Sequence, residues 1–218
     1  MQKIRNKKTG IPRVVPAAAT HQVRIIGGQW KRTPLAVLDA QGLRPTPDRV
    51  RETVFNWLNH LLDGEWNSAR CLDLFAGTGA LGFEAASRGA GQVTMVESNA
   101  SAVRQLEATK GKLRAEQVSI LRGDALSIAS RMAASADAEN NRFNLIFLDP
   151  PYHQGWLEKI LPICTGLLRD GGLVYAESEQ VLDCETPLDW LAGWDNVRAD
   201  RAGVIFYHLL RRNIPAEN

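Results

Sequence analysis

The sequence predicts a doubly wound α/β fold: a mostly parallel sheet with one antiparallel strand, preceded by a small β-hairpin and helix. Three observations carry the prediction. Apolar strand-like runs alternate with helical stretches from about residue 70 onward. The stretch Cys71 to Ala85, C-L-D-L-F-A-G-T-G-A-L-G-F-E-A, reads as a buried strand, a glycine turn and a helix start. Four acids, Asp73, Glu97, Asp124 and Asp149, each fall at the end of an expected strand, and strand C-terminal ends line the ligand crevice of such a sheet.

Bulk properties set the frame. The 218 residues suit one α/β domain with a modest extension, and 44% hydrophobic with 23% charged residues suits a soluble globular chain. The apolar runs are too short to span a bilayer, and Val14 to Ala19 is too short and Pro-broken for a signal peptide. Cys71, Cys164 and Cys184 form no C-x-x-C pair, and the four histidines have no metal-ligand spacing, so we expect reduced thiols, no metal and a cytoplasmic protein. An organelle transit peptide is a lesser alternative for the basic N-terminus. The net charge of +2 hides an asymmetry: residues 1–51 hold eleven Lys or Arg against two acids, net +9, leaving fifteen against twenty-two, net −7. A basic arm on an acidic domain points to a polyanion, nucleic acid first.

In chain order, residues 1–22 form a basic tail expected to be mostly disordered, either a solvated tail or an RNA arm. Residues 23–63 form the extension. Within it, Val23 to Leu38 reads as two short strands around Gly27-Gly28. Arg24, Lys31 and Arg32 flank Trp30 there, a pattern suited to phosphate contact and base stacking. A helix is expected over Leu43 to Leu62, with Thr46 as N-cap, Pro47 first and Asp48 favouring the dipole. Val50, Val54, Trp57, Leu58 and Leu61 would make its apolar face, and Arg44, Arg49 and Arg51 cluster at its start.

Residues 64–212 form the main domain, with 213–218 a tail. Strands are expected near 70–75, 92–97, 117–122 and 143–148, and helices near 79–88, 100–113 and 125–134. A polar loop spans Asp137 to Arg142. A helix near 155–168, then Gly171-Gly172 and a strand over Leu173 to Glu177, come next. Thr186 to Leu191 could be a short helix, and Asn196 to Ala202 with Val204 to Leu210 a closing hairpin about Gly203 that adds the antiparallel strand.

The chemistry follows from the strand ends. Gly77, Gly79 and Gly82 fit G-x-G-x-x-G, which serves dinucleotide dehydrogenases and S-adenosylmethionine methyltransferases alike, each with a later acid for the ribose hydroxyls. Asp73 sits inside a strand that dehydrogenases usually keep apolar, and Asp124 is a further acid suited to an adenine edge. Asp149-Pro150-Pro151-Tyr152 is the most specific feature. The prolines fix the backbone and remove two N–H donors, leaving acceptors for the hydrogens of a planar exocyclic amine, while Tyr152 offers a ring for its base. A nicotinamide oxidoreductase ranks last on this reading. An adenine-N6 methyltransferase on DNA or RNA and a non-catalytic RNA-binding assembly factor remain as alternatives.

The chain resembles the RsmD-type 16S ribosomal RNA guanine-N2 methyltransferases of bacteria. The matching pieces are R-I-I-G-G-Q-W at Arg24, L-R-P-T-P-D-R-V-R-E-T-V-F-N-W-L at Leu43, D-L-F-A-G-T-G-A-L-G-F-E-A at Asp73, D-P-P-Y at 149–152 and Y-A-E-S-E at Tyr175. The resemblance implies a Rossmann-like class I methyltransferase fold with seven strands. It also implies transfer of a methyl group from S-adenosylmethionine, leaving S-adenosylhomocysteine, to N2 of guanine 966 of 16S rRNA on the small ribosomal subunit or an assembly intermediate. Cofactor contacts are expected from Asp73, Phe75, Gly77, Thr78, Gly79, Gly82, Glu97, Ser98, Asp124 and Ala125, the target amine at Asp149 to Tyr152, and RNA contacts at Arg24, Trp30, Lys31, Arg32 and Arg44. Family members often carry Phe where Tyr152 stands, so its ring should matter and its hydroxyl should be dispensable. Nothing calls for more than a monomer.

Overall fold

The computed structural model describes residues 23–37, 46–135, 142–184 and 188–213. The expected tail 1–22, Arg44, most of the 137–142 loop and Thr186 lie outside these residues. A two-stranded ribbon, β1 (Val23–Arg24) and β2 (Pro34–Leu35), comes first, then helix α1 (Asp48–Leu61). The main sheet is built from β3 (Arg70–Asp73), β4 (Gln92–Glu97), β5 (Val118–Arg122), β6 (Phe143–Leu148), β7 (Leu168–Ser178), β8 (Trp194–Ala202) and β9 (Ile205–Arg212). Helices α2 (Ala80–Ser87), α3 (Ala100–Leu113), α4 (Ala125–Ala133) and α5 (Trp156–Leu167) connect them. The strand order is β5-β4-β3-β6-β7-β9-β8, and β9 alone runs against the others. This is the class I methyltransferase arrangement, with seven strands and one antiparallel, as expected.

Side-chain alternation divides the core into two layers. Cys71, Met95, Leu145, Phe147 and Tyr175 point to the face covered by α1, α2 and the ribbon. Leu72, Leu74, Ile146, Leu148 and Val174 point to the face covered by α4 and α5. Asp73, Asp149 and Glu177 share the parity of the first set, so the sheet aims all three acids toward the α1 side.

Four local expectations are corrected. The ribbon is not a tight hairpin about Gly27-Gly28: Val23 pairs with Leu35 and Arg24 with Pro34, leaving a nine-residue loop between the strands. Gly28, at φ 71°, instead lies against α2, where an added Cβ would stand 1.9 Å from the Ser87 carbonyl oxygen. Thr46 does not cap α1; the cap position is Pro47, with no side-chain bond. The buried stripe of α1 is Val50, Arg51, Val54, Phe55 and Leu58, rotated from the expected face because Phe55 packs against Trp66 and Phe147. Trp57 is only partly covered and stacks on Tyr207, ring centroids 5.6 Å apart. Finally, β7 begins at Leu168, before Gly171-Gly172; the glycines form a bulge that shifts its register against β6.

His208 on β9 is buried, and its Nε2 accepts the Leu182 N–H at 3.2 Å. Burial pushes its pKa down to about 4. The unfolded chain takes up this proton near pH 6.5 and the folded protein only near 4, so stability falls as pH drops through that window, by roughly 3 kcal/mol at full effect. His208→Gln should therefore lose less stability than the wild type between pH 7 and 4.5, read as paired thermal melts; parallel losses would refute the assignment. The buried carboxyls act in the opposite direction and are common to both proteins.

Candidate active site

The chain moves outward from β3 to β4 and β5, and outward the other way from β6 to β7. The crevice therefore opens above the ends of β3 and β6. Asp73 ends β3 and is buried beneath the glycine turn. Its Oδ1 accepts the Phe75 N–H at 3.3 Å and its Oδ2 the Gly82 N–H at 3.2 Å. Burial raises its pKa to about 7, against the pull of those two donors. Both oxygens thus engage the backbone of the turn they support. Gly79, at φ 79°, starts α2; a Cβ there would lie 2.5 Å from the Phe83 ring and 2.7 Å from Leu106. Gly82 faces Met95, whose Cε would meet an added Cβ at 2.4 Å, so the third glycine is where helix meets strand.

Glu97 closes β4 with its carboxylate turned to the same turn: Oε2 accepts the Gly77 N–H at 2.9 Å and Oε1 the Asn99 N–H at 2.7 Å. The Gly123 N–H donates to the Glu97 carbonyl at 3.0 Å, drawing the next strand end alongside. There Asp124 caps α4 through the Ser127 N–H at 2.8 Å and stays exposed, with Ala125 buried behind it. Ser98 is exposed, while Phe75 and Thr78 are half-buried; the Phe75 ring meets Trp156 edge-on at 5.6 Å. A half-buried carboxylate at the glycine turn and an exposed one at the neighbouring strand end can both accept hydrogen bonds from donors such as hydroxyls and amines.

Pro150, Pro151 and Tyr152 border an open cavity of about 80 Å³ that Trp156, Glu177 and Trp190 also line. Next to it, Asp149 belongs to a cluster assembled from three segments. Thr46, just before α1, places its hydroxyl oxygen 3.0 Å from Asp149 Oδ2 and 2.6 Å from Glu177 Oε1. The Tyr175 hydroxyl donates to the same Glu177 oxygen at 2.6 Å. Tyr152 bonds Glu177 through its side chain. Burial, then the adjacent Glu177 carboxylate, holds Asp149 well above the usual carboxylate range. Glu177 is raised as well, with the hydroxyl donors opposing its burial. Tyr175 is raised by burial and by Glu177.

The basic segment lies across α2. Lys31 and Arg32 are exposed, Arg32 at φ 71°. Arg24 is exposed and pairs with Asp48 at 2.9 Å. Trp30 is half-buried against the core, its backbone N–H donating to Ser87 Oγ at 2.9 Å. Buried Glu84 fastens the segment: it accepts the Ile26 N–H at 2.6 Å, the Gly27 N–H at 2.9 Å and Arg88 Nε at 2.8 Å. Arg51, one of the arginines clustered at the start of α1, is fully buried; it donates to Asp48 at 2.6 Å and to the Arg24 carbonyl at 2.9 Å.

A family model described as conserved hypothetical protein 95 matches residues 23–211. Ribosomal RNA small subunit methyltransferase D of Escherichia coli (strain K12) is 38% identical over 200 residues, 90% of this chain and 93% of that relative. The chain belongs to this methyltransferase family. Its Haemophilus influenzae member is 34% identical, over 88% of this chain and 94% of its own length. The solved structure of the Escherichia coli protein yhhF superposes with a TM-score of 0.71 at 38% identity, covering 88% of this chain and 98% of that one. Sequence reasoning gave no site role to Thr46, Glu84 or Glu177. Glu177 had a signal: as the acid closing an apolar strand beside the one that ends in Asp149, it repeats the pattern of the other four. Thr46 and Glu84 had none, because their partners are 103 and 58 residues away in sequence.

Proposed function

We propose that this protein transfers the methyl group of S-adenosylmethionine to the exocyclic N2 of one guanine of 16S rRNA, guanine 966 by family resemblance, within the small ribosomal subunit. It would act as a cytoplasmic monomer, with the extension 23–63 contacting RNA and 64–212 forming the methyltransferase domain. The observation that carries the reading is the Asp149-Pro150-Pro151-Tyr152 turn at the mouth of the crevice, between the glycine turn and the lined cavity. Family membership and the strand-end carboxylates support it.

Glu97 would hold the ribose and Asp124 the adenine amine, with Phe75, Gly77 to Gly82, Ser98 and Ala125 shaping the cofactor pocket and Asp73 bracing it. When bound, S-adenosylmethionine supplies an electrophilic methyl group on a sulfonium and leaves as the thioether. The chain's own task is placement. Asp149 and the carbonyls around Pro150 and Pro151 accept the hydrogens of the amine, turning its nitrogen toward the methyl carbon, and Tyr152 stacks on the base. As the N–C bond forms and the C–S bond breaks, positive charge grows on nitrogen, and Asp149 faces it and takes the leaving proton. The base must leave its stack to enter, so a structured RNA has to yield it by extrusion.

The test is incubation of the protein and labelled S-adenosylmethionine with small subunits from cells lacking the enzyme, followed by mapping of the modified nucleotide. Label on N2 of a single 16S guanine is expected. Label on adenine N6, or none with the cofactor bound, would overturn the assignment. Replacing Arg24, Lys31 and Arg32 together by Ala should weaken subunit binding and flatten its dependence of log K on log salt by about two to three. Equal slopes would place the RNA surface elsewhere.

A further inference from the structure

The contacts of Thr46 pose a question of hydrogen count. Its hydroxyl has one hydrogen, yet its oxygen lies 3.0 Å from Asp149 Oδ2 and 2.6 Å from Glu177 Oε1. Tyr175 contributes one more hydrogen, directed at Glu177 over 2.6 Å. With both carboxyls ionised, one Thr46 contact would press two electron-rich oxygens together. A single proton on the pair removes the conflict. Glu177, taking hydrogens from Thr46, Tyr175 and Tyr152, is the better satisfied carboxylate. Asp149 then holds the proton and donates it to the Thr46 oxygen or to Glu177, which it also meets directly. The parallel register makes the pairing a property of the sheet, since Leu148, the last residue of β6, lies beside Ala176 of β7 and the residues that follow them are Asp149 and Glu177.

Resting on the methyl-transfer reading above, we propose that Glu177 and Thr46 are positioning residues for Asp149: the two carboxyls share one proton across the Thr46 hydroxyl, and Glu177 decides whether Asp149 meets the amine as a carboxylate. An arriving amine donates to Asp149, and the shared proton passes to Glu177. The proton lost from nitrogen after transfer goes to Asp149, and the surplus proton of the pair leaves through the cavity that Glu177 lines. The other titratable and charged groups facing the pair are Asp73 from β3, Tyr175 from β7 and Tyr152 beyond Pro151, with Arg51 of α1 reaching as far as Tyr175. Burial and mutual repulsion raise both carboxyls, in keeping with a pair that holds one proton.

Two variants move the system in opposite directions. Glu177→Gln keeps an oxygen for the Thr46 and Tyr175 hydroxyls, removes the neighbouring charge and turns an amide donor to Asp149. The acid limb of kcat/KM against pH should shift down by at least about one unit. Thr46→Val removes a donor that favours ionisation, so its limb should shift up. S-adenosylmethionine affinity should hold in both, as a check on the fold. Superimposed limbs, or lower activity with an unchanged profile, would overturn the proposal. Carboxyl-carbon NMR titration of the free protein asks the same question without turnover. Asp149 and Glu177 should titrate as a coupled pair in the wild type, and Asp149 alone at lower pH in Glu177→Gln. Two independent carboxyl titrations would sink the shared proton even if the subunit assay had already overturned the choice of substrate. A coupled pair with no subunit labelling would leave it standing while that choice fell.

Discussion

Asp149→Asn should bind S-adenosylmethionine with wild-type affinity and lose about 10²–10³-fold in methyl transfer. The substitution keeps the shape of the side chain and, like the protonated resting Asp149, offers a hydrogen without a charge beside Glu177, so the fold is retained. What disappears is the charged acceptor facing the nitrogen as positive charge develops, together with the acceptor for its proton. Such groups act in a site shielded from water, and single losses of comparable preorganised partners have effects of this size. The cofactor contacts assigned to Glu97 and Asp124 lie at other strand ends and are untouched. Calorimetric cofactor binding and label incorporation into small subunits separate the two quantities. Turnover within about threefold of wild type would remove Asp149 from the reaction.

Glu84→Ala should be the most damaging single change to the structure, lowering stability by roughly 3–5 kcal/mol and the melting temperature by about 10 °C. Glu84 is fully buried and binds two backbone N–H groups and an arginine. Removing it leaves the Ile26 and Gly27 N–H groups without an acceptor and Arg88 with an uncompensated charge packed over the Phe55 ring. Glu84→Gln, which keeps one acceptor, should fall between the two. The damage should also be directional. The segment carrying Arg24, Lys31 and Arg32 loses its anchor, so subunit binding should fall further than cofactor binding when both are measured below the melting transition. A melting point within about 2 °C of wild type would show that the segment is held by other means.

The βα order was legible because each signal for it is local. The strands at Val93 to Glu97 and Phe143 to Leu148 are short apolar runs closed by acids or turns. The helix starts carry caps such as Asn99 and Asp124 within three residues of the groups they bind. The glycine turn was legible for the same reason, since Gly79 answers a backbone need set by its immediate neighbours. Thr46 shows where local reasoning stops. In sequence it is a good N-cap before Pro47, but its hydroxyl is turned toward Asp149 and the buried Glu177 rather than toward the N–H groups of α1, because a buried carboxylate left without a donor is the costlier loss. Gly27-Gly28 fails in the same way. It has the composition of a hairpin turn, and it is used to let backbone lie against the end of α2.

The sequence by itself determined the class of fold, the order of its strands and helices, the glycine turn and the chemical character of each strand end. All of these depend on interactions within a few residues. Only the tertiary structure decided which of those ends meet. Strand order placed β3 beside β6 and β6 beside β7, parity turned Asp73, Asp149 and Glu177 to one face, and packing of α1 brought Thr46 down between two of them. The physical reason is that burial costs a charged group its water, so each buried acid must find partners in space. The partners nearest in space to Asp149 lie 103 residues before it and 28 after it.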